Sequence, residues 1–389
     1  MTARGRAPAR PPARVCVFGT YAREYTVTRL LALACRSAGI EVIECHRPLW
    51  EETPHKDAGY FGSASALRLA ARYVRIAFSL ARARHSIGPV PMYLIGFNGQ
   101  FDCMLLRLLT LRRRAPVVFA PLVTLTDTLI EDRALFGPKS VRAAGVRLAD
   151  RLSLAAVTHV VIDTEAHREY IIEALGVAPE RVTTWHLGAD PDVFVASPPA
   201  AEERPVRVLF YGSYLPLHGV RTVLEAAELL KQDQGVEFLL AGDGPERAAS
   251  DAYARKAGLG QVHFTDWVAY RSLGEMVAAA DICLGIFGTT RKTQMVIPNK
   301  VYQAATVGRA VISADTPAAR EVFTHGETAW LCPAGNPQAL ADAIRRLAGD
   351  VALRTRLGAQ AARLMREQFS LAARGGRLAA ILAGAMERA

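Results

Sequence analysis

The chain has 389 residues, of which 51% are hydrophobic, and a mean hydropathy of +0.13. This size suffices for one large or two ordinary domains, and it excludes a small disulfide scaffold and a wholly disordered chain. The formal net charge of +10 suits nucleic acid, an anionic membrane surface or phosphorylated substrates, so the motifs must discriminate among these partners.

The N-terminus and the cysteines indicate the cellular compartment in which the protein is expected. Residues 1–13 form a basic tail, predicted to be disordered, without the apolar stretch of a signal peptide. Apolar runs such as 117–123 are far shorter than the ~20 residues of a membrane-spanning helix. The 6 cysteines form no CxxC pair and lie mostly in apolar patterns, which is typical of reduced core thiols. We therefore expect a cytoplasmic protein without a membrane span.

Short apolar strands alternate with helices in the first half of the chain. A strand at 14–20 contains Gly19 near its end, and a helical stretch to residue 38 and a strand at 41–45 follow. Further strands, apolar on both faces as buried parallel strands are, are predicted at 92–96, 115–122, 158–163 and 181–185. This alternation predicts a doubly wound α/β domain over residues 14–195.

A second domain of the same kind follows a linker. Residues 196–205 lose the hydrophobic period and contain three prolines and two glutamates. The pattern restarts with strands predicted at 206–212, 236–245, 262–265, 281–287 and 309–315. The second domain is therefore placed at 206–370, and residues 371–389 are predicted to form a helix that crosses back to the first domain. Ligands bind outside the carboxyl ends of such strands, so Gly19, Gly212 and Gly242 should face a cleft between the domains.

Four stretches carry a resemblance to a known family. They are GDGPE (242–246), AAADICLGIF (278–287), IPNKVYQAATVGRAVISADTPAARE (297–321) and residues 336–370. In order and spacing they resemble the signatures of retaining GT-B glycosyltransferases of glycosyltransferase family 4. The first domain is similar to that family only in strand order and in elements such as VVIDTEAHREYI and HLGADPDVF. The resemblance implies two Rossmann-like domains facing a cleft, with the nucleotide-sugar donor on the second and the acceptor, beside Gly19, on the first.

The stretch FYGSYLPLHG (210–219) is a candidate diphosphate-binding turn. It runs from a strand through Gly212 and Ser213 to a helix, so free amides and the positive end of the helix can face an anion. An ordinary strand-to-helix turn is the alternative. The family commonly has an arginine and a lysine in this stretch, at places where this chain has Tyr214 and His218.

Lys300 is predicted to supply the missing positive charge. If Pro298 and Asn299 open a helix, the spacing places Asn299, Lys300 and Gln303 on one face. A lysine in the first turn of a helix is disfavoured by the dipole unless an anion lies there. A solvated lysine beside the helix cap is the alternative. We predict that Lys300 is catalytic and that Asn299 and His218 help to bind the donor.

Two glutamates that the family carries on this helix are absent. The resemblance implies that the second binds the donor ribose and that the first contacts the donor sugar. These positions hold Gln303 and Met295. Gln303 can still hydrogen-bond a ribose hydroxyl, whereas Met295 cannot serve a sugar hydroxyl. A catalytically silent nucleotide-sugar-binding module and a nucleotide-sugar 2-epimerase therefore remain alternatives to a transferase.

Further candidates lie in both domains. Gly242, Asp243 and Gly244 form a tight turn near the nucleotide, with a purely structural role as the alternative. Glu321 is a donor-side candidate, although a helix-surface acid explains it equally well. Asp127, in the stretch 122–133, is the residue predicted to face the reacting sugar, against the alternative of a helix cap.

Other cofactors and partners are not expected. The histidines show no HExxH or clustered ligand spacing, which predicts no bound metal and no cofactor besides the nucleotide-sugar co-substrate. No zinc, helix-turn-helix or RNP signature supports nucleic-acid binding. The resemblance implies transfer with retention, in which the leaving phosphate itself can accept the proton of the acceptor. Nothing in the sequence identifies the donor base, the sugar, the acceptor or the oligomeric state.

Residues 63–84 form a basic amphipathic helix. Arg68, Arg72, Arg75 and Arg82 share one face, and Leu69, Tyr73, Ile76 and Leu80 share another. The stretch 105–114 adds four arginines. A core-facing helix with a solvated charged side is the alternative. Because family 4 enzymes often glycosylate lipid-linked acceptors, we expect a carbohydrate or lipid-linked acceptor and salt-sensitive, peripheral binding to the inner face of an anionic membrane.

Overall fold

The computed structural model describes residues 10–21, 23, 26–49, 63–111, 115–198, 205–233 and 235–388. These residues form two parallel six-stranded sheets, one on each side of the predicted linker. The predicted disordered tail lies mostly outside the described residues, as do residues 112–114 and 199–204. The predicted α/β fold class is confirmed.

The first sheet has the strand order β2-β1-β3-β4-β5-β6. Its strands are β1 (Arg14–Gly19), β2 (Glu41–His46), β3 (Tyr93–Ile95), β4 (Val117–Phe119), β5 (His159–Ile162) and β6 (Val182–Thr184). Its helices are α1 (Thr26–Ser37), α2 (Ser63–Ile87), α3 (Gln100–Leu109), α4 (Val141–Ala155) and α5 (Glu165–Leu175). A π-helical turn, Thr126–Asp132, follows β4 and was not predicted from the sequence.

The second sheet has the strand order β12-β11-β10-β7-β8-β9. Its strands are β7 (Val206–Tyr211), β8 (Val236–Ala241), β9 (Val262–Thr265), β10 (Ile282–Leu284), β11 (Ala310–Ala314) and the unpredicted edge strand β12 (Trp330–Cys332). The helices are α6 (Val220–Leu229), α7 (Arg247–Ala257), α8 (Leu273–Ala278), α9 (Arg291–Met295), α10 (Asn299–Val307), α11 (Pro317–Arg320), α12 (Pro337–Gly349), α13 (Val351–Gln368) and α14 (Leu371–Glu387).

The central strands are mostly apolar because helices cover both faces of each sheet. In β1, Val15 and Val17 pack into the cluster that contains α1 and α14, whereas Cys16 and Phe18 pack into the cluster that contains α2 to α5. All six cysteines are buried and form no disulfide, as predicted.

The last helix crosses back to the first domain, as predicted. Ser37 donates a hydrogen bond from its hydroxyl to Leu371 O at 3.0 Å, and the Trp185 indole donates to Arg374 O at 3.0 Å. The buried Arg374 guanidinium in turn donates to Ala189 O at 3.0 Å. These bonds fasten α14 to the first domain.

Candidate active site

Two glycine turns meet at the ends of neighbouring strands β7 and β8. A Cβ atom on Gly242 would lie 2.1 Å from Gly212 O, and one on Gly244 would lie 1.7 Å from Ser213 O. Gly212, Gly242 and Gly244 also have φ values of 153°, 120° and 153°. Asp243 closes the second turn by accepting a hydrogen bond from the Gly244 amide at 2.7 Å. Only glycine permits this approach of the two backbones, so the predicted turn has a clear structural role.

Lys300 and His218 converge on Gly212, as the predicted site requires. A Cβ atom on Gly212 would lie 3.1 Å from Lys300 Nζ and 3.0 Å from His218 Cε1. Lys300 is only 6% exposed, and its ammonium has no hydrogen-bond partner. The ammonium lies 3.9 Å from the centre of the Phe210 ring, which gives a cation–π contact. A buried cation without an acceptor thus stands beside the turn.

The electrostatics of this corner favour an anion. Burial lowers the pKa of Lys300 well below its ordinary value. Burial also lowers the pKa of His218, and the charges of Lys300 and Lys292 lower it further. A phosphate beside Gly212 would oppose each of these effects, because negative charge favours the protonated forms of both side chains.

The first turns of α10 contain the other residues that are predicted to bind the nucleotide-sugar donor. Pro298 precedes the helix, and Asn299 Oδ1 is buried without a hydrogen-bond partner. Gln303 is buried and accepts a hydrogen bond from the Tyr211 hydroxyl at 2.8 Å. Lys300 and Gln303 therefore both point towards β7. Tyr214 is also buried, and its hydroxyl donates to Leu240 O at 3.2 Å.

A charged network that the sequence did not predict joins the two domains. Asp127, fully buried in the π-helical turn, accepts a hydrogen bond from Lys292 Nζ of α9 at 2.9 Å. Its other carboxylate oxygen pairs with His167 Nε2 at 3.1 Å, and His167 Nδ1 pairs with Asp163 at 2.9 Å. Lys292 also donates to the Thr128 hydroxyl at 2.6 Å. The chain of contacts runs from Lys292 of the second domain to Asp127, His167 and Asp163 of the first, so the Lys292–Asp127 pair crosses the domain interface.

Asp127 and His167, the two inner members of this network, shift each other's pKa values. Burial alone would raise the pKa of Asp127, but the Lys292 charge and the His167 hydrogen bond hold it below its ordinary value. Burial alone would lower the pKa of His167, but hydrogen bonds to Asp127 and Asp163 raise it to about 9. The raised pKa of His167 favours its imidazolium form, which complements the carboxylates that it contacts.

Within the described part of the chain, Asp127 makes no hydrogen bond or ion pair with Lys300, His218 or Gly212 and is held instead by its own neighbours. Both of its oxygens are engaged, by Lys292 and Thr128 on one side and by Thr124 and His167 on the other. Its role towards the reacting sugar stays a prediction, and its contacts in this structure are those of an interdomain ion pair. The spacing of Asp163 and His167, four residues apart at the start of α5, was the one sequence signal for the network.

Glu321 and Met295 also contact the first domain. Glu321 accepts hydrogen bonds from the Glu165 and Ala166 amides at 2.8 and 2.9 Å, and it pairs with His186 at 2.9 Å. Its carboxylate caps the N-terminus of α5. Glu321 is therefore not a plain surface acid, and its role towards the donor stays a prediction. Met295 packs in the apolar cluster of the first domain, as expected for a side chain without hydrogen-bonding groups.

On the acceptor side, a buried carboxylate lies against Gly19. A Cβ atom on Gly19, whose φ is 128°, would be 2.3 Å from Asp102 Oδ2. Asp102 accepts hydrogen bonds from the Thr20 amide at 2.7 Å and from the Tyr73 hydroxyl at 2.9 Å. Burial raises the pKa of Asp102 to about 6. The sequence analysis missed Asp102, which fixes the start of the loop after β1.

A cavity of about 420 Å³ lies elsewhere, between α1 and the segment 269–271. Thr28, Arg29, Asp190 and Tyr270 are among its lining residues, and none of the predicted site residues lines it. Within the described ranges, no group of three or more His, Cys, Asp or Glu side chains is placed to hold a metal ion. The helices in those ranges include none with the length and apolar character needed to cross a membrane.

Comparison with known proteins finds a family similarity in the second domain. Residues 205–350 match the model of the family Glycosyl transferases group 1. The recognition of such glycosyltransferases from the sequence is thereby confirmed for this domain, and the retaining mechanism and the family 4 assignment stay predictions.

Two relatives show how far the likeness extends. Alpha-D-kanosaminyltransferase of Streptomyces kanamyceticus is 28% identical over 182 residues, which are 46% of this chain and 46% of that protein. Amylovoran biosynthesis glycosyltransferase AmsK of Erwinia amylovora is 27% identical over 177 residues, which are 45% and 44% of the two chains. The match thus spans less than half the length of these relatives.

A solved structure extends the likeness in fold to both domains. The HepE protein of Anabaena, in complex with UDP and glucose, superposes with a TM-score of 0.67 over 95% of this chain and 99% of that one, at 16% identity. The fold is therefore GT-B, as predicted.

Proposed function

We propose that the chain is a glycosyltransferase that moves a sugar from a nucleoside-diphosphate sugar to an acceptor hydroxyl with retention of configuration. The observation that carries this proposal is the buried Lys300 ammonium, which stands without a hydrogen-bond partner beside the Gly212 turn. The family match over residues 205–350 and the names of the relatives support it. The UDP and glucose held by the structurally similar HepE support a nucleotide-sugar donor.

The proposed chemistry is electrostatic. Negative charge grows on the leaving diphosphate as the bond to the sugar breaks, and the Lys300 ammonium with the amides of Gly212 and Ser213 stabilises it. Asn299 and Gln303 hydrogen-bond the ribose and so position the nucleotide. The acceptor attacks from the face that the diphosphate leaves, and the departing phosphate oxygen takes the acceptor proton. This scheme requires neither a metal nor a carboxylate pair of the kind that glycoside hydrolases use.

The acceptor is proposed to be a carbohydrate or a lipid-linked sugar in polysaccharide or glycolipid synthesis. The names of the relatives support glycan chemistry. The basic helix α2, with Arg68, Arg75 and Arg82 exposed, supports work at the inner face of an anionic membrane. Nucleic acid is not a proposed partner.

A second candidate function is a silent nucleotide-sugar-binding module or a nucleotide-sugar 2-epimerase. The observation that favours it is that Met295, at the position of the first family glutamate, is buried in an apolar cluster. A module would bind the donor without turnover, and an epimerase would change the sugar without an acceptor.

The test is an assay of the purified chain with a panel of nucleotide sugars, with and without carbohydrate and lipid-linked acceptors. A transferase releases nucleoside diphosphate in step with a new glycoside, and NMR of that glycoside reports its anomeric configuration. Donor binding without release of nucleoside diphosphate would support the silent module, and epimerised donor would support the epimerase. An inverted product would contradict retention alone.

A further inference from the structure

The cavity of about 420 Å³ has walls from both domains and lies close to the linker. Most of its wall belongs to the first domain and includes residues of α1, β2 and the segment that precedes the linker, while residues 269–271 close it from the second domain. Tyr270 of that segment packs edge-on against Phe194, with ring centres 5.9 Å apart. Nearby, a Cβ atom on Gly274 would lie 2.0 Å from Val193 O. We call this space the linker cavity.

Arginine side chains from both domains line the linker cavity. Arg23 and Arg36 share a single carboxylate, that of Glu44, at 3.1 and 3.7 Å. Arg271 belongs to the second domain, is exposed, and has no ion-pair partner among the described residues. These residues bring three guanidinium groups and one carboxylate to the lining, so donors and positive charge are left for an anion.

The two other carboxylates of the lining are already paired. Arg29 donates to Asp190 at 2.5 Å and to Asp192 at 2.8 Å. Asp190 is fully buried, and its backbone oxygen accepts a hydrogen bond from the Phe194 amide at 2.9 Å. These contacts hold the segment before the linker against α1. The cavity therefore has one side that is fixed by its own ion pairs and an excess of arginine elsewhere.

The uncharged part of the lining suits a hydroxylated molecule better than a bare ion. Thr28 is 3% exposed, and its hydroxyl has no hydrogen-bond partner among the residues that the structure describes. Tyr21, Tyr270, Val17 and Leu33 add aromatic and aliphatic surface. A sugar ring presents hydroxyl groups at its edge and C–H groups on its faces, so it can meet both kinds of surface. The volume lies within the range of about 300–1,000 Å³ that is typical of small-molecule sites.

We propose that the linker cavity binds a small anionic sugar, of which a hexose phosphate is the simplest, as an effector. Guanidinium groups bind phosphate through paired N–H donors, and the apolar and hydroxyl-bearing surfaces would hold the ring. The ligand is an effector and not a substrate because the residues that are predicted to bind the donor and the acceptor are absent from the lining. This binding does not rest on the proposed function.

A ligand in the linker cavity would contact both domains and so influence how they sit relative to each other. Tyr270 packs against the apolar cluster that contains Tyr211, whose hydroxyl donates to Gln303 of the predicted donor site. We therefore expect the hexose phosphate to change the affinity for the nucleoside diphosphate, and linkage requires the reverse effect to be equal. This consequence rests on the proposed function.

Titration calorimetry of the full chain tests the site. The probes are the two glucose monophosphates, esterified at the anomeric or at the primary hydroxyl, with inorganic phosphate and glucose for comparison. We expect at least one glucose phosphate to bind more tightly than inorganic phosphate and glucose, because it engages the arginines and the ring-binding surface together. Equal binding of inorganic phosphate would overturn the assignment to a sugar. Absence of binding by every probe would overturn the inference.

Variants of the second-domain wall locate the contact. Arg271→Gln should weaken glucose phosphate binding about tenfold or more, because the guanidinium without an ion-pair partner is lost. Ala269→Trp should abolish binding, because the indole fills the cavity. Both residues are exposed, so the melting temperature should not change. The control is Arg356→Gln on α13, which should retain full binding, and equal losses in Arg271→Gln and Arg356→Gln would overturn the assignment.

Lys300→Met separates the linker cavity from the predicted donor site. Glucose phosphate binding should persist in this variant, whereas nucleoside diphosphate binding should weaken. Glucose phosphate binding that is lost in Lys300→Met and kept in Arg271→Gln would place the sugar in the donor site and overturn the inference. A nucleoside diphosphate affinity that glucose phosphate leaves unchanged would contradict the coupling. Glucose phosphate binding without nucleoside diphosphate binding would contradict only the proposed function.

Discussion

Lys300 is unusual because a buried ammonium normally has an acceptor. Removing an ammonium from water without compensation is costly, and burial accordingly lowers its pKa well below the ordinary value. Its surroundings offer an aromatic ring, a neighbouring histidine and a glycine turn, but no carboxylate hydrogen-bonded to it. The residue therefore costs stability in the free protein and is suited to an anionic ligand.

Replacing Lys300 by methionine should separate binding from stability. We expect the melting temperature of the free protein to stay level or rise, because a buried charge is removed. We expect kcat/KM for transfer to fall by an amount equivalent to ~3 kcal/mol or more, because the leaving diphosphate loses its cation. The control is Lys256→Met on the exposed side of α7. Near-normal turnover of the Lys300 variant would remove the residue from the site.

Gln303 offers a second test at the same helix. Gln303→Glu keeps an acceptor for the Tyr211 hydroxyl and for a ribose hydroxyl, so nucleotide affinity should be retained. Gln303→Ala leaves both hydroxyls unmet and should cost ~1–3 kcal/mol of nucleotide binding, measured by calorimetry. Equal affinities of the two variants would show that Gln303 does not occupy the position of the family's ribose-binding glutamate.

At the scale of elements, the contact of α9 with the π-helical turn couples the domains. Lys292 forms an ion pair with Asp127 of the other domain. His167 and Asp163 complete this network of four side chains. Removal of one member leaves an uncompensated buried charge, which is the costly case for a buried ion pair. The network thereby holds α9, and with it the segment leading to Lys300, against the first domain.

Lys292→Met should lower the free energy of unfolding by about 3–5 kcal/mol, measured by denaturant titration. The neighbouring Arg291→Met is the control. Arg291 is exposed and stacks on the Tyr170 ring, a contact that contributes ~1 kcal/mol at most at such a site. Asp127→Asn combined with Lys292→Met should destabilise less than the sum of the single changes, because both charges of the pair are gone. Strict additivity would mean that the pair does not interact.

The network also predicts a pH dependence. The pKa of His167 is raised from 6.5 to about 9, so its stabilising contribution is fully present below pH 6.5 and is lost as the pH rises through 9. The melting temperature of the wild type should therefore fall more between these pH values than that of His167→Gln, which cannot be protonated. The same decline in both proteins would contradict a charged His167.

The elements were largely predictable from the sequence, but their tertiary partners were not. The predicted strands are present, although most are shorter, and glycine turns at Gly212 and Gly242 end β7 and β8. The short β12, the π-helical turn and α9 lack a clear hydrophobic period and were missed. Asp127 was singled out, but Lys292, 165 residues away, could not be paired with it from local spacing.

The arrangement of side chains around Lys300 was also only partly predictable from the sequence. Helical spacing predicted that Asn299, Lys300 and Gln303 share one face of α10, and in the structure Lys300 and Gln303 both contact residues of β7. The meeting of Lys300 and His218 at Gly212 depends on how two separate segments pack, which one sequence does not contain. Glu321 illustrates the reverse, because its position after a short helix did not indicate that it caps α5 in the other domain.

At the scale of the whole molecule, the two domains differ in what they share with known proteins. The second matches a glycosyltransferase family over residues 205–350, while the first agrees with solved structures in fold.

Titration calorimetry of nucleoside diphosphates tests the central claim most directly, since it requires neither the sugar nor the acceptor to be known. The titrants are UDP, GDP, ADP and dTDP, each compared with its nucleoside, on the wild type and on Lys300→Met. We expect at least one diphosphate to bind the wild type, its nucleoside to bind much more weakly, and the variant to lose tenfold or more in affinity, the equivalent of ~1.4 kcal/mol. Failure of every diphosphate to bind, or equal affinity for wild type and variant, would contradict a donor site at Gly212 and Lys300.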